Sequence, residues 1–171
     1  NLIRPFRDIV QVKWSQTGFV SGQLHETPRN LMAFKDGTVN PRHTDEYKDY
    51  VFIDDGWAKN GTYCIIRRIQ IHIETWDRTA LEEQEATFGR KRISGAPLTG
   101  KKEFDEMDLG AKDSSGEYVI PADAHARLAH EAKTSIKRRA YNYTAGTNDK
   151  TGALETGLLF ISFQKSPQQF I

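Results

Sequence analysis

The sequence predicts an α+β domain with a mostly antiparallel sheet. Three observations carry that reading. Residues 63–74 alternate with a period of two, residues 79–89 hold helix-start and helix-stop signals, and residues 157–164 form an apolar run of strand length. With 171 residues the chain is long enough for one domain with a real core. A hydrophobic share of 37% against 27% charged residues places it among globular rather than disordered chains.

Taken in order, residues 2–8 read as a short helix running into a strand over 9–14. The turn Gly18-Phe19-Val20-Ser21-Gly22 follows. Polar residues 23–30 and the apolar approach Leu31-Met32-Ala33-Phe34 lead to Lys35-Asp36-Gly37-Thr38, whose Asp-Gly pair marks a turn. In the strand over 63–74, Tyr63, Ile65, Ile69, Ile71 and Ile73 share one face, interrupted by Arg67. Cys64, Arg68, Gln70, His72 and Glu74 lie mostly on the other. One better-buried face suits an antiparallel strand. Thr79-Ala80-Leu81-Glu82 has the form of a capping box, Leu81, Ala86 and Phe88 supply an apolar stripe, and Gly89 is a natural stop. Residues 90–117 are a long irregular region containing Ser94-Gly95-Ala96-Pro97-Leu98; loops of this length in compact domains tend to be functional. A second loop ends in Ile136 to Tyr143, and a turn over 148–152 precedes the buried strand over 157–164.

Composition narrows the chemistry. Lys and Arg number 24 and Asp and Glu 23, a formal net charge of +1, so nothing global points to nucleic acid or an anionic membrane. The single cysteine, Cys64, allows no internal disulfide and no multi-thiolate metal site. No apolar run approaches the roughly 20 residues of a membrane span. The opening Asn1-Leu2-Ile3-Arg4 carries no Met and reads as the interior of a longer protein.

The histidines are His25, His43, His72, His125 and His130. None pair at metal-face spacing, and His125 and His130, five apart, point away from each other on a helix. A site needing one histidine stays open, haem iron above all, because the porphyrin supplies the other four donors. By itself His125 reads more readily as a satisfied core or surface residue than as a ligand, with Asp123 and Arg127 beside it. Asp36, before Gly37, reads as a turn residue or as a carboxylate able to move a proton between peroxide oxygens. Arg138 sits in the basic run Lys137-Arg138-Arg139, which is a solvated face, a single-strand contact with Tyr141 and Tyr143, or the cation such chemistry needs.

Several stretches, in order, resemble the dye-decolourising peroxidases. They are Asn30-Leu31-Met32-Ala33-Phe34-Lys35-Asp36-Gly37-Thr38-Val39-Asn40-Pro41, residues 67–79, Phe88-Gly89-Arg90, Ser94-Gly95-Ala96-Pro97-Leu98, Ala124-His125-Ala126-Arg127-Leu128-Ala129, Arg138-Arg139-Ala140-Tyr141-Asn142-Tyr143 and Gly157-Leu158-Leu159-Phe160-Ile161. The likeness is to the exported, iron-uptake-associated deferrochelatase/peroxidase (EfeB-like) branch. It implies a ferredoxin-like fold of the dimeric α+β barrel type and a b-type haem. His125 would be the proximal iron ligand, Asp36 the distal acid-base residue and Arg138 the distal arginine. Gly37, Thr38, Val39 and His130 would line the haem, and Asp123 is a candidate for bonding the ligating imidazole. The substrates implied are hydrogen peroxide and an organic electron donor such as a dye or phenol. The alternative is a haem-binding, iron-releasing protein of an iron-uptake system, or a haem-free fragment. Export by the twin-arginine route is implied by the resemblance alone.

The chain departs from the family pattern at Ala33, where Gly is usual, at Lys137 and Ala140, which flank the arginines in place of Leu and Gly, and at Asn60 before Gly61. The resemblance also implies that residues 1–22 are the tail of a preceding ferredoxin-like domain. Residues 23–171 would be the haem-binding domain without its C-terminal helix and strand. A sheet lacking a strand has an open edge, so self-association or weak haem binding is expected.

Overall fold

A computed structural model describes residues 3–23 and 25–171. Asn1, Leu2, which opens the expected first helix, and Leu24, in the expected polar stretch, lie outside the described residues. The elements are a 3-10 helix Arg4–Phe6, α1 Thr44–Tyr50, β1 Tyr63–Ile71, α2 Ile73–Trp76, α3 Leu81–Phe88, α4 His125–Glu131, β2 Lys137–Arg138, β3 Tyr141–Thr147, β4 Leu154–Gln164 and a 3-10 helix Pro167–Gln169.

The sheet is antiparallel throughout. β4 is central, with β1 on one side and β2 and β3 in succession on the other. Registers such as Ile69 opposite Leu158 and Arg138 opposite Ser162 set the frame. This is the mixed, antiparallel α+β architecture the sequence predicts. Gly157 explains one contact within it. A Cβ there would lie 1.9 Å from the Ile69 carbonyl oxygen and 2.7 Å from the Tyr143 hydroxyl, so only glycine lets fully buried Tyr143 pack against β4.

β1 shows the expected alternation in weakened form. Ile71 is buried and Ile65 and Ile69 are half-buried, while Tyr63 and Ile66 remain open to solvent. Among the described residues β1 pairs only with β4, so its outer edge is free. The strand ends at Ile71 rather than continuing to Glu74. The amides of Thr75 and Trp76 donate to the His72 carbonyl and start α2, and Trp76 Nε1 donates to the Met32 carbonyl at 3.2 Å. Packing of the Trp76 ring against Phe34 and Phe88 thus overrides local strand propensity.

Three further expectations are corrected. The first helix is a single 3-10 turn, Arg4–Phe6. Residues 9–14 are not a strand: Ile9, Val12 and Trp14 are exposed, and the first bridge in this region joins Phe19 to Asn142. A strand needs a partner's ladder, and none reaches this segment among the described residues. The capping box at Thr79 does not form either. Thr79 Oγ1 donates back to the Thr75 carbonyl, Ala80 is the N-cap, and buried Gln84 donates to the carbonyls of Trp76 and Thr79. The stop at Gly89 does form, in the left-handed conformation at φ 72°. A Cβ at Gly89 would also lie 3.0 Å from Ile120 and 3.2 Å from Ala124, which presses α3 closely onto the turn before α4.

Candidate functional site

The loop bearing Asp36 is built from its own chemistry outward. Asn30 Oδ1 accepts from the Phe34 amide at 3.2 Å, and Ala33 closes the turn in the left-handed region at φ 67°. That conformation explains why glycine is the expected residue there, since a Cβ is strained in it. Phe34 is buried and stacks on Phe88 with ring centroids 4.0 Å apart. The Asp36 amide then donates to the Pro28 carbonyl at 2.7 Å. Gly37, at φ 113°, brings the chain so close to Asn40 that a Cβ would meet Asn40 Nδ2 at 2.8 Å.

Asn40 uses that closeness. Its Nδ2 donates to the Arg138 carbonyl at 3.0 Å and its Oδ1 accepts from the Arg138 amide at 2.9 Å. This reciprocal clamp ties the loop to β2 across 98 residues of sequence. It sets Arg138 against Asp36, with Nη2 3.1 Å from Oδ1. Both side chains are largely buried. Among the described residues Asp36 Oδ1 is nevertheless without a hydrogen-bond partner, because the guanidinium reaches it at ion-pair distance but off the direction a hydrogen bond requires. A buried carboxylate oxygen beside a cation, with acceptor capacity to spare, is suited to a small protic ligand.

His125 opens α4, after an extended Ala124. The helix is moored by Arg127. Its Nε and Nη2 donate to the Ile120 carbonyl, and it also reaches the carbonyls of Pro121 and Leu109. The Phe88 ring meets the His125 imidazole edge-on at 5.9 Å. Much of His125 is open to solvent, yet surrounding chain crowds the ring enough that burial is the largest effect holding its pKa below the usual value. The Arg138 charge pushes the same way and Asp36 opposes it. The three residues singled out by sequence therefore share one electrostatic neighbourhood.

The remaining candidates are spread around it. Thr38 is buried, Gly37 half-buried and Val39 largely exposed. His130 lies exposed in the last turn of α4. Asp123 is exposed, and no hydrogen bond joins it to His125 among the described residues. Sequence reasoning passed over Asn40 except as a loop residue, and gave no role to Glu103 or Arg90. Glu103 Oε2 pairs with Lys35 Nζ at 2.6 Å and its Oε1 accepts from Thr38 Oγ1 at 3.0 Å. Arg90 Nη1 donates to the carbonyls of Gly95 and Glu103. Arg90 was marked only by its place in the Phe88-Gly89-Arg90 stretch, and Glu103 only by the length of the loop that carries it.

A cavity of about 600 Å³ opens beside the pair, lined by Asp36, Gly37, Asn40, Arg138, Arg139 and Asn142 among others. Asn142 Oδ1 is a second buried acceptor without a partner among the described residues. A smaller cleft of about 400 Å³, between Ile53, Trp57 and Tyr63, holds none of these residues. No group of three or more His, Cys, Asp or Glu among the described residues could hold a metal. One accessible imidazole beside Phe88, with an unsatisfied carboxylate and a guanidinium in its field, fits a metal that brings its own equatorial donors, as haem does.

Comparison with known proteins gives a consistent picture. Residues 27–171 match the family model for Dyp-type peroxidase, C-terminal. The chain is 38% identical over 186 residues to the deferrochelatase of Yersinia pseudotuberculosis, covering 99% of this chain and 42% of that protein. It superposes on DtpA from Streptomyces lividans, solved as an oxyferrous complex, with a TM-score of 0.86 and 35% identity over 93% of this chain and 46% of that one. A DyP-type peroxidase from Cellulomonas bogoriensis gives a TM-score of 0.85 at 36% identity, over 96% of this chain and 48% of that one. The chain thus spans less than half the length of these relatives.

Proposed function

Because the chain belongs to the Dyp-type peroxidase family, we propose that it carries a haem peroxidase site in which His125 holds the iron of a b-type haem and Asp36 and Arg138 act on hydrogen peroxide. The observation that carries this reading is the buried Asp36–Arg138 pair, 3.1 Å apart, with Asp36 Oδ1 lacking a hydrogen-bond partner among the described residues. Bound there, haem would supply the electrons that reduce peroxide and would recover them from an organic donor. Asp36 takes the proton from one peroxide oxygen and delivers it to the other, so that the departing oxygen leaves as water. Arg138 stabilises the negative charge that develops as the O–O bond lengthens. Asn40 and Gly37 hold the two side chains at that separation. Thr38, Val39 and His130 are proposed to flank the cofactor.

Replacing Asp36 by Asn, or Arg138 by Leu, is expected to lower peroxide turnover at least about a hundredfold while haem uptake, read from the Soret band, is retained. Turnover at the native rate in both variants would remove the assignment.

A second reading rests on the relatives named deferrochelatase. On it haem is cargo, iron leaves the porphyrin outside the cytoplasm, and the partner is an iron-uptake system. Iron release that needs no peroxide and survives both substitutions would favour it. The free outer edge of β1 further supports self-association through strand pairing. Light scattering is expected to give a mass above that of one chain, and a clean monomer would count against it.

A further inference from the structure

We propose that Glu103 is a positioning residue for Asp36: it straps both flanks of the Asp36–Gly37 turn and holds the carboxylate where it can exchange a proton with peroxide. The proposal rests on the reading of Asp36 as the acid-base residue.

Glu103 lies in the long irregular region, 65 residues beyond Thr38 and 68 beyond Lys35. Its two carboxylate oxygens are divided between those residues. Oε2 takes the Lys35 ammonium at 2.6 Å and Oε1 takes the Thr38 hydroxyl at 3.0 Å. Asp36 and Gly37 are the two residues enclosed between these anchors, so neither end of the turn can shift without breaking a charge-assisted hydrogen bond. The Glu103 side chain is only 10% exposed and that of Lys35 16%, so the pair is not a solvated surface contact of negligible strength.

The strap is itself held. Arg90 Nη1 donates to the Glu103 carbonyl at 3.0 Å and to the Gly95 carbonyl at 2.7 Å, which joins the two arms of the loop. Gly95, in the left-handed region at φ 76°, passes so close to the Lys35 stem that a Cβ would lie 2.7 Å from its Cδ and 3.4 Å from Glu103 Cγ. Beyond Thr38, its carbonyl accepts from Arg42 Nη2 at 3.0 Å, and the Arg42 guanidinium lies 4.1 Å over the ring of Phe104, next to Glu103. The same loop therefore grips the Asp36 segment at Lys35, at Thr38 and through Arg42.

Charge gives a second reason for a carboxylate here. Lys35, Arg90 and Arg138 all lie around this turn. Burial works to raise the Glu103 pKa, but bonds from Lys35, Thr27 and Thr38 outweigh it and hold the group below its usual value. Glu103 therefore stays ionised and neutralises Lys35. Arg138 is left as the cation in contact with Asp36. A neutral residue at 103 would leave the Lys35 ammonium buried without its counter-charge and free to compete for the Asp36 carboxylate.

The test uses the haem-loaded protein, with D36N measured alongside. E103A is expected to lower kcat/KM for peroxide about tenfold or more. KM for the organic donor and haem occupancy should stay near wild type. E103Q, which can keep one of the two contacts, should fall between. Hydrogen exchange at the Gly37 and Thr38 amides should quicken in E103A and partly recover in E103Q, a readout independent of turnover. If E103A does not fold, T38V removes a single contact and should show about a threefold loss with the same change in exchange. The strap is overturned if D36N is inactive but peroxide kcat/KM in E103A, or in T38V where E103A does not fold, stays within twofold of wild type. It is equally overturned if haem occupancy and donor KM in E103A change in proportion with peroxide turnover. If D36N turns peroxide over normally, the assignment of Asp36 fails and the strap falls with it.

Discussion

The two sides of the site are held by different means. Around Asp36 the chain is fastened directly. Asn40 clamps Arg138, Glu103 grips Lys35 and Thr38, and the Asp36 amide is bonded to Pro28. Among the described residues nothing polar grips the His125 imidazole. The ring meets Phe88 edge-on, and its helix is moored two residues later through Arg127. On the proposed assignment, the difference follows from what each side would have to do. A proton-transferring carboxylate has to be preorganised by the protein, because a small protic molecule cannot organise it. A ligating imidazole can be oriented finally by the metal bond itself, so helix position matters more than ring fixation.

The largest expected effect tests the mooring. Arg127 is 7% exposed and feeds the carbonyls of Leu109, Ile120 and Pro121. Arg127→Ala should cost about 3 kcal/mol in unfolding free energy, since one buried and two part-buried acceptors lose their donors together. Haem affinity should fall with it, as α4 loses its anchor. Urea denaturation and a haem titration measure both. A loss confined to stability, with haem affinity intact, would mean that His125 is placed by its own packing and not by the helix.

A smaller effect tests the clamp. Asn40→Ala should cost about 1–2 kcal/mol and lower peroxide kcat/KM by roughly tenfold to a hundredfold, because small misplacements of a reacting group are expensive. Haem binding should change little. An equal loss of haem affinity would erase the distinction between the two sides. The smallest effect concerns the turn before Asp36. Ala33→Gly relieves the left-handed Cβ and should raise stability by about 0.5 kcal/mol, strain relief being partly offset by glycine's greater chain entropy. Thermal unfolding reads this. A drop in stability would show that the Ala33 methyl contributes packing that outweighs its strain.

The candidate residues differ in how legible they were. Asp36, Arg138 and His125 stood out only because ordered motifs surround them; each alone suited a turn, a solvated face or a satisfied core position. Glu103 had no local signal at all. It lies in an irregular loop, and its partners are 65 and 68 residues away. Asn40 looked like a loop residue because the atoms it bonds belong to the backbone of Arg138, which no side-chain pattern reveals.

By itself the sequence determined β1 up to Ile71, β4 from Gly157 to Gln164 though not its first three residues from Leu154, the Gly89 stop after α3 and the order of the family motifs. These depend on period, propensity and the absence of a Cβ, all written within a few residues. Tertiary structure alone decided where β1 gives way to α2, why Thr79 does not cap α3 and why residues 9–14 form no strand. It also decided which loop holds Asp36. The reason is the same in each case: a hydrogen bond or ring contact with a distant segment outweighs local preference by an amount that local sequence does not encode. Trp76 reaches the Met32 carbonyl across 44 residues and packs on Phe34, and Glu103 reaches Lys35 across 68.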